Sequence, residues 1–151
     1  MSRKLKPGDP KPYPRRCAGC GKSLVRPARV AHHARIKHDG KLHEFRIAAL
    51  PVDRCTGCKE VFFTNASSDA KLVSLRNHLG LLQIDEIRKR LAQNKMSQRD
   101  FAGHLRVAEE TVSRWLNGMS IQSRSLDTLM RLYFSMPAVR KALASVDNVQ
   151  I

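Results

Sequence analysis

All four cysteines of this chain fall into two Cys-x-x-Cys pairs, Cys17-Ala-Gly-Cys20 and Cys55-Thr-Gly-Cys58, with 34 residues between them. A two-residue spacer lets one tight turn present two thiolates together, and two such turns supply the four soft ligands of a tetrahedral Zn2+. Gly19 and Gly57 hold the same place within each pair, where a glycine permits the turn and lets backbone N–H groups approach sulfur. Gly21 follows the first pair, and Lys59 stands at the matching place after the second. Cys17, Cys20, Cys55 and Cys58 are therefore the expected ligands of one structural zinc ion. With four protein ligands no position stays open for water, which argues against a catalytic metal. Iron uses similar knuckles, usually inside an aromatic core that this module lacks. A redox dithiol is the other alternative, but no βαβ pattern surrounds either pair. His32, His33, His38 and His43 lie between the pairs and are expected to be polar groups on a hairpin surface rather than ligands.

A metal staple suits a chain of this size. The 151 residues leave room for one ordinary domain or two small ones, and one Trp, two Tyr and five Phe make thin cores if they are shared. Charge restricts the partners. Lys+Arg number 28 and Asp+Glu 13, a formal net charge of +15, which favours an anionic partner such as nucleic acid. Residues 1–80 carry 17 basic against 6 acidic side chains, and residues 81–151 carry 11 against 7. The polar, Pro-rich start does not read as a signal peptide, and no run approaches the length of a membrane span. The sequence is thus expected to be cytoplasmic, where paired cysteines are metal ligands or redox groups before they are disulfides. No paired carboxylates, nucleophile–base arrangement or open metal site is discernible, so the sequence does not read as an enzyme.

Five segments are expected. Residues 1–16, with four Pro and six Lys/Arg, read as a basic disordered tail. Residues 17–68 read as a β and turn module. Within it Asp39-Gly40 predicts a two-residue hairpin turn that sets Arg35 opposite Glu44, and residues 61–63 predict a short strand. The small polar residues 64–68 read as its boundary. A linker helix follows over 69–80, with Leu72, Leu75 and Leu79 on one stripe and Gly80 as its stop. Residues 81–145 read as an all-α bundle of four or five helices, with Leu126, Leu129, Leu132 and Tyr133 as one apolar face. Residues 146–151 read as a tail. The fold class is α+β.

The bundle contains the segment from Met96 to Gly118. Ser97 predicts an N-cap with Asp100 as its partner, a helix over 98–104, a turn over 106–108 and a second helix over 109–116, stopped at Asn117-Gly118. Val112 and Trp115 share an inward face with Phe101, Ala102 and Leu105. Glu109, Glu110, Ser113 and Arg114 face outward, a polar helix face of the kind that enters a major groove.

Ser97-Gln98-x-x-x-Ala102 followed by Thr111-Val-Ser-Arg-Trp-x-Asn117-Gly118 resembles the Xre/Cro-type helix-turn-helix domain over about residues 82–145. With the four-cysteine module before it, the whole chain is similar to the MqsA (YgiT-type) antitoxins. The resemblance implies a homodimer through the helical half and autorepression at a double-stranded DNA operator. It also implies a small ribonuclease toxin as partner. Gln98 would bind phosphate or a nearby base, and Glu110 and Arg114 would read bases, Arg114 by a bidentate contact with guanine. Thr111 and Asn117 would hold phosphates, with Ser113 on the same face. Two positions depart from the pattern. Arg106 replaces the glycine usual in the turn, at a cost of about 1 kcal/mol if its φ is positive, and Ala108 replaces the usual Ser or Thr cap. A buried Arg–Glu pair common in the family maps onto Leu91 and Leu116, which are therefore expected to be buried together. The alternative reading is a regulator without a toxin, whose basic N-terminal module adds nucleic-acid contacts.

Overall fold

A computed structural model describes residues 11–145, so the first ten residues of the tail expected over 1–16, and the whole of the one expected over 146–151, lie outside them. Three strands precede six helices: β1 (Val25–His38), β2 (Lys41–Cys55), β3 (Val61–Phe62), α1 (Asn65–Leu79), α2 (Ile84–Gln93), α3 (Gln98–Leu105), α4 (Glu109–Leu116), α5 (Arg124–Ser135) and α6 (Pro137–Ser145). The sheet order is β1-β2-β3, and β3 runs antiparallel to β2 with Asp53 opposite Phe62 and Arg54 opposite Val61. The chain divides into two compact units, one of residues up to 33 with 46–70, the other of 34–45 with residues from 71 onward.

β1 and β2 join at the expected turn. Asp39 and Gly40 have φ of 49° and 73°, the two positive values that match a tight turn to the right-handed twist of the strands. Arg35 Nε lies 2.7 Å from Glu44 Oε1, as the register requires. Both strands run well beyond the turn and its Arg35–Glu44 pair, over 14 and 15 residues. Pro27 sits on the edge strand β1, and Pro51 lies outside the β2–β3 register, so neither forbids strand where it stands.

In the first unit residues 11–16, expected to be tail, include a built contact with the sheet. Arg15 pairs through its backbone with Val25, and the Tyr13 hydroxyl donates to Asp53 at 2.7 Å. Arg15 Nη1 adds an ion pair with the same carboxylate at 3.3 Å. Asp53 is buried, so these two donors compensate its desolvation. The boundary expected over 64–68 is a second correction. Helix α1 begins at Asn65, because Thr64 caps it: the Ser67 N–H donates to Thr64 Oγ1 at 3.4 Å, and the Thr64 N–H donates to Ser67 Oγ at 3.0 Å.

The second unit has a continuous apolar core. Ile87 and Leu91 of α2, Phe101, Ala102 and Leu105 of α3, and Val112, Trp115 and Leu116 of α4 pack with Met130, Tyr133 and Phe134 of α5. Leu91 and Leu116 belong to this one core, with 6% and 4% of their surface exposed. Leu132 does not join it and is exposed, while Met130 and Phe134 take the buried face of α5 instead. The Tyr133 hydroxyl is hydrogen-bonded to His104 Nδ1 at 2.8 Å, which makes its full burial tolerable.

Asp127 is the polar keystone of this unit. Its Oδ1 accepts from the Leu82 N–H at 2.8 Å and from Gln122 Nε2 at 3.0 Å, and its Oδ2 accepts from Arg131 Nε at 2.7 Å. The carboxylate is buried, so removing it strands donors away from water. Asp127→Ala is expected to cost about 2–3 kcal/mol, read as a lower denaturation midpoint at unchanged slope in urea. A loss under 0.5 kcal/mol would show that water replaces the carboxylate.

Candidate metal centre and helix face

The two cysteine pairs are built alike. In the first, the Gly21 N–H donates to Cys17 C=O at 2.9 Å and the Cys17 N–H to Lys22 C=O at 2.8 Å. In the second, the Lys59 N–H donates to Cys55 C=O at 3.0 Å and the Cys55 N–H to Glu60 C=O at 2.9 Å. Gly21 and Lys59 also share a left-handed backbone, with φ of 74° and 67°. Lys59 thus takes the conformation that glycine takes in the first turn, at about 1 kcal/mol. Gly19 and Gly57 also keep space clear beside the sulfurs. Their φ is not positive, but a Cβ on Gly19 would collide with the Glu60 carboxylate, and one on Gly57 would come within 2.9 Å of Leu24 Cδ1.

These turns bring all four sulfurs within 4.8 Å of one another. Cys17 Sγ lies 3.6 Å from Cys58 Sγ, and Cys20 Sγ lies 3.7 Å from Cys55 Sγ. Thiolates ~2.3 Å from a tetrahedral zinc stand about 3.8 Å apart, so the cluster has the dimensions of such a site. Cys17 and Cys55 are buried, while Cys20 and Cys58 reach solvent. The backbone N–H groups of Cys58 and Gly57 lower the Cys55 thiol to about 6, against the opposing effect of burial. Cys58 moves the other way, to about 12. The Glu60 N–H favours its thiolate, but burial and the neighbouring sulfurs of Cys17, Cys55 and Cys20 outweigh it. Four adjacent thiolates need a cation, and four soft sulfur donors select zinc or iron over magnesium or calcium.

The four histidines stay out of this cluster. His33 is exposed, as expected. The others are half-buried and make ring contacts: His32 meets Phe63 edge-on at 5.4 Å, and His38 and His43 lie 6.4 Å apart. Glu60, whose Oε2 lies 3.9 Å from Cys17 Sγ, was not legible in the sequence as part of the site.

In the second unit α4 meets the expected boundaries and α3 runs one residue further than expected, to Leu105. Ser97 Oγ accepts from the Asp100 N–H at 3.0 Å and bonds the Asp100 carboxylate at 2.7 Å. Arg106 ends α3 in the left-handed region, φ 58° and ψ 37°, with no glycine to ease it. Ala108 precedes α4 without a side-chain cap. Gln98 is exposed at the first position of α3. On α4, Glu109, Glu110 and Arg114 are exposed, Thr111 and Ser113 are half-buried, and Asn117 is exposed just beyond its end.

Glu110 and Arg114 are partners rather than separate groups. Arg114 Nη2 and Nε donate to Glu110 Oε1 at 2.8 and 3.2 Å, one helical turn apart. Asn117 Nδ2 similarly donates to Ser113 Oγ at 3.3 Å. Two arginines that the sequence did not single out hold the far end of α4. Arg88 Nη2 donates to Leu116 C=O at 2.7 Å, and Arg76 Nη2 donates to Ser120 C=O at 2.9 Å and to Trp115 C=O at 3.4 Å. Arg76 is fully buried, which lowers its pKa, and its Nε and Nη1 have no hydrogen-bond partner among the described residues. The partial negative charge of the α4 C-terminus offsets part of that desolvation.

No protein-family model matches this chain, and no curated protein matches it. Among the described residues no helix is long and apolar enough to cross a membrane.

Proposed function

We propose that the protein is a sequence-specific double-stranded DNA-binding regulator, with α3 and α4 as its helix-turn-helix and a structural zinc ion in the four-cysteine cluster. The observation that carries the reading is the division of α4. Val112, Trp115 and Leu116 are buried in the core, and the opposite face leaves Glu109, Glu110 and Arg114 in solvent. Arg76 and Arg88 anchor the helix at its C-terminal end, so its N-terminal, outward face is held in a fixed presentation. The net charge of +15 supplies the phosphate attraction that such binding needs.

The Glu110–Arg114 pair assigns the acid a role. A free carboxylate beside phosphate is repulsive. One that holds a guanidinium in place directs the remaining N–H groups of Arg114 toward a base edge, as bidentate recognition of guanine requires. In this reading Gln98, Thr111, Ser113 and Asn117 contact phosphates or neighbouring bases and fix the register. A two-fold dimer with half-sites about one helical turn apart (~34 Å) is the assembly in which one short helix per chain gains enough contacts for specificity. Autorepression as an antitoxin is the finer form of this proposal, with a small ribonuclease as the protein partner. Co-purification at native levels, with identification of bound protein, tests that part.

The DNA reading itself is tested by selecting duplexes from a random pool and comparing variants on the winner. Arg114→Ala is expected to weaken the selected duplex by about 1–3 kcal/mol and to relax preference at one base pair. Glu110→Ala is expected to broaden preference at the same base pair, since it frees Arg114. If Arg114→Ala binds the selected duplex as tightly as the wild type, α4 is not the reading helix.

A further inference from the structure

The geometry points to the β1–β2 hairpin tip as a wing that grips the phosphate backbone of the duplex read by α4. This inference rests on the DNA reading proposed above and adds to it a second contact surface.

Three contacts hold the tip, all within the second unit. Asp39 Oδ2 accepts a hydrogen bond from the backbone N–H of Arg124, the first residue of α5, at 2.8 Å. Phe45 stacks on His78 of α1, with centroids 4.9 Å apart and planes 20° from parallel. His43 meets the same ring edge-on at 6.1 Å. A two-residue turn with both φ values positive adds local stiffness. The tip is therefore positioned by the helical unit, whereas a free hairpin of two strands is marginal in water.

The charges at the tip are of one sign where they are uncommitted. Lys37 and Lys41 flank the turn, both exposed and neither in an ion pair among the described residues. Arg124 is exposed beside them, joined to the turn through the Asp39 hydrogen bond. The acids nearby are both occupied: Asp39 holds the Arg124 N–H, and Glu44 holds Arg35 at 2.7 Å. What remains is three exposed cations, two flanking the turn and one on the first residue of α5, whose N-terminal N–H groups Asp39 and Ser123 already occupy.

Charge complementarity commits this surface to phosphate. We assign it to the duplex that α4 reads because the tip is tied to the first residue of α5, eight residues after α4 ends. Lysines serve phosphate as point charges without reading sequence, so the wing contributes affinity and register rather than specificity. A solvated pair of lysines would do neither, and this difference can be measured.

The experiment compares full-length wild type with the Lys37→Ala, Lys41→Ala, Arg124→Ala triple variant on two probes. One is the duplex selected from a random pool by the wild type, the other an unrelated duplex of equal length. Affinity is followed from 50 to 200 mM salt. Each phosphate contact contributes about 0.9 to the slope of log K against log salt. The triple variant is expected to lose roughly 2–3 from that slope on both probes, with their affinity ratio unchanged. The Lys37→Arg, Lys41→Arg variant should keep the wild-type slope. Hydroxyl-radical footprints should show a backbone stretch protected by the wild type and open in the triple variant. An unchanged slope and footprint in the triple variant would overturn the wing while leaving the DNA reading intact. A changed ratio between the probes would overturn it too, because it would mean base reading. If the wild type selects no duplex at all, the proposed function fails first, and that outcome is plain before any variant is made.

Discussion

Cys55→Ser is expected to abolish stable metal binding and to unfold the first unit, while the helices of the second unit persist. Apart from the metal site the first unit buries Ile47, Leu50 and Val52 and the Asp53 network, which makes a thin apolar core. Its metal-site core joins Cys17, Val25 and Cys55, with Leu24 and Phe62 packed against them, and three of those five lie in or beside the cysteine turns. Metal binding contributes an apparent ~10–16 kcal/mol in small structural zinc modules, which matches or exceeds the whole stability of an ordinary domain, about 5–15 kcal/mol. Cys55 is the severe choice because it is fully buried at the end of β2 and its N–H and C=O close the second turn. Serine in its place offers a harder ligand and leaves three thiolates with a poorly matched cation. Elemental analysis should find one metal ion per chain in the wild type and much less than one in the variant. Amide exchange should show residues 17–33 and 46–63 losing protection, with residues 84–145 retaining it. Chelation of the wild type should do the same. Acid should favour release, because protons compete for thiolates. A first unit that stays protected after chelation, with no metal bound, would falsify the structural role.

The parts of this fold that were legible in the sequence depend on neighbours a few residues apart. Two thiolates in one turn, Asp-Gly at a hairpin, Ser97 with Asp100, and Asn117-Gly118 at a helix end each carry their geometry within four residues. The α4 boundaries follow from such local signals even though Ala108 is a poor cap. The parts that were not legible depend on distant partners. Tyr13 and Arg15 looked like tail because nothing near them says that Asp53, some 40 residues on, is buried and needs donors. Asn65-Ala-Ser-Ser looked like a loop because serine is an indifferent helix former, and nothing near it says that Ser67 is buried with its hydroxyl on the Pro51 carbonyl. Arg76 reads as one more basic residue, and only the packed unit shows that it is buried against the end of α4. The Glu110–Arg114 pair was missed for another reason. The i,i+4 spacing to Arg114 was present in the sequence, but whether a helix face ion pair forms or both groups turn to DNA is a choice that free residues make by proximity.

Leu116→Glu is expected to destabilise the second unit by about 3–5 kcal/mol, and Leu91→Arg added to it is expected to recover part of that loss. Leu116 is the last residue of α4 and Leu91 lies in the last turn of α2, and both sit in one apolar core with little exposure. A glutamate at 116 would bring an uncompensated charge into that core, and the surroundings give it one nearby donor. Arg88 already uses its Nη2 on the Leu116 carbonyl at 2.7 Å, so a carboxylate there would compete for the group that caps the helix. Protonation offers an escape, and the single variant should therefore regain stability as pH falls toward the raised carboxyl pKa, a sign opposite to that of an ordinary ion pair. Arginine at 91 would supply the missing charge from the facing helix. The double variant should lose this acid-side recovery, because its carboxylate is then stabilised in ionised form. Urea denaturation of the wild type, both single variants and the double variant at pH 7 and pH 5 closes the cycle. Additive losses at both pH values would mean that the two positions do not face one another, and the assignment of α2 and α4 to the first and third helices of a helix-turn-helix domain would fall, taking the roles of Gln98, Glu110 and Arg114 with it.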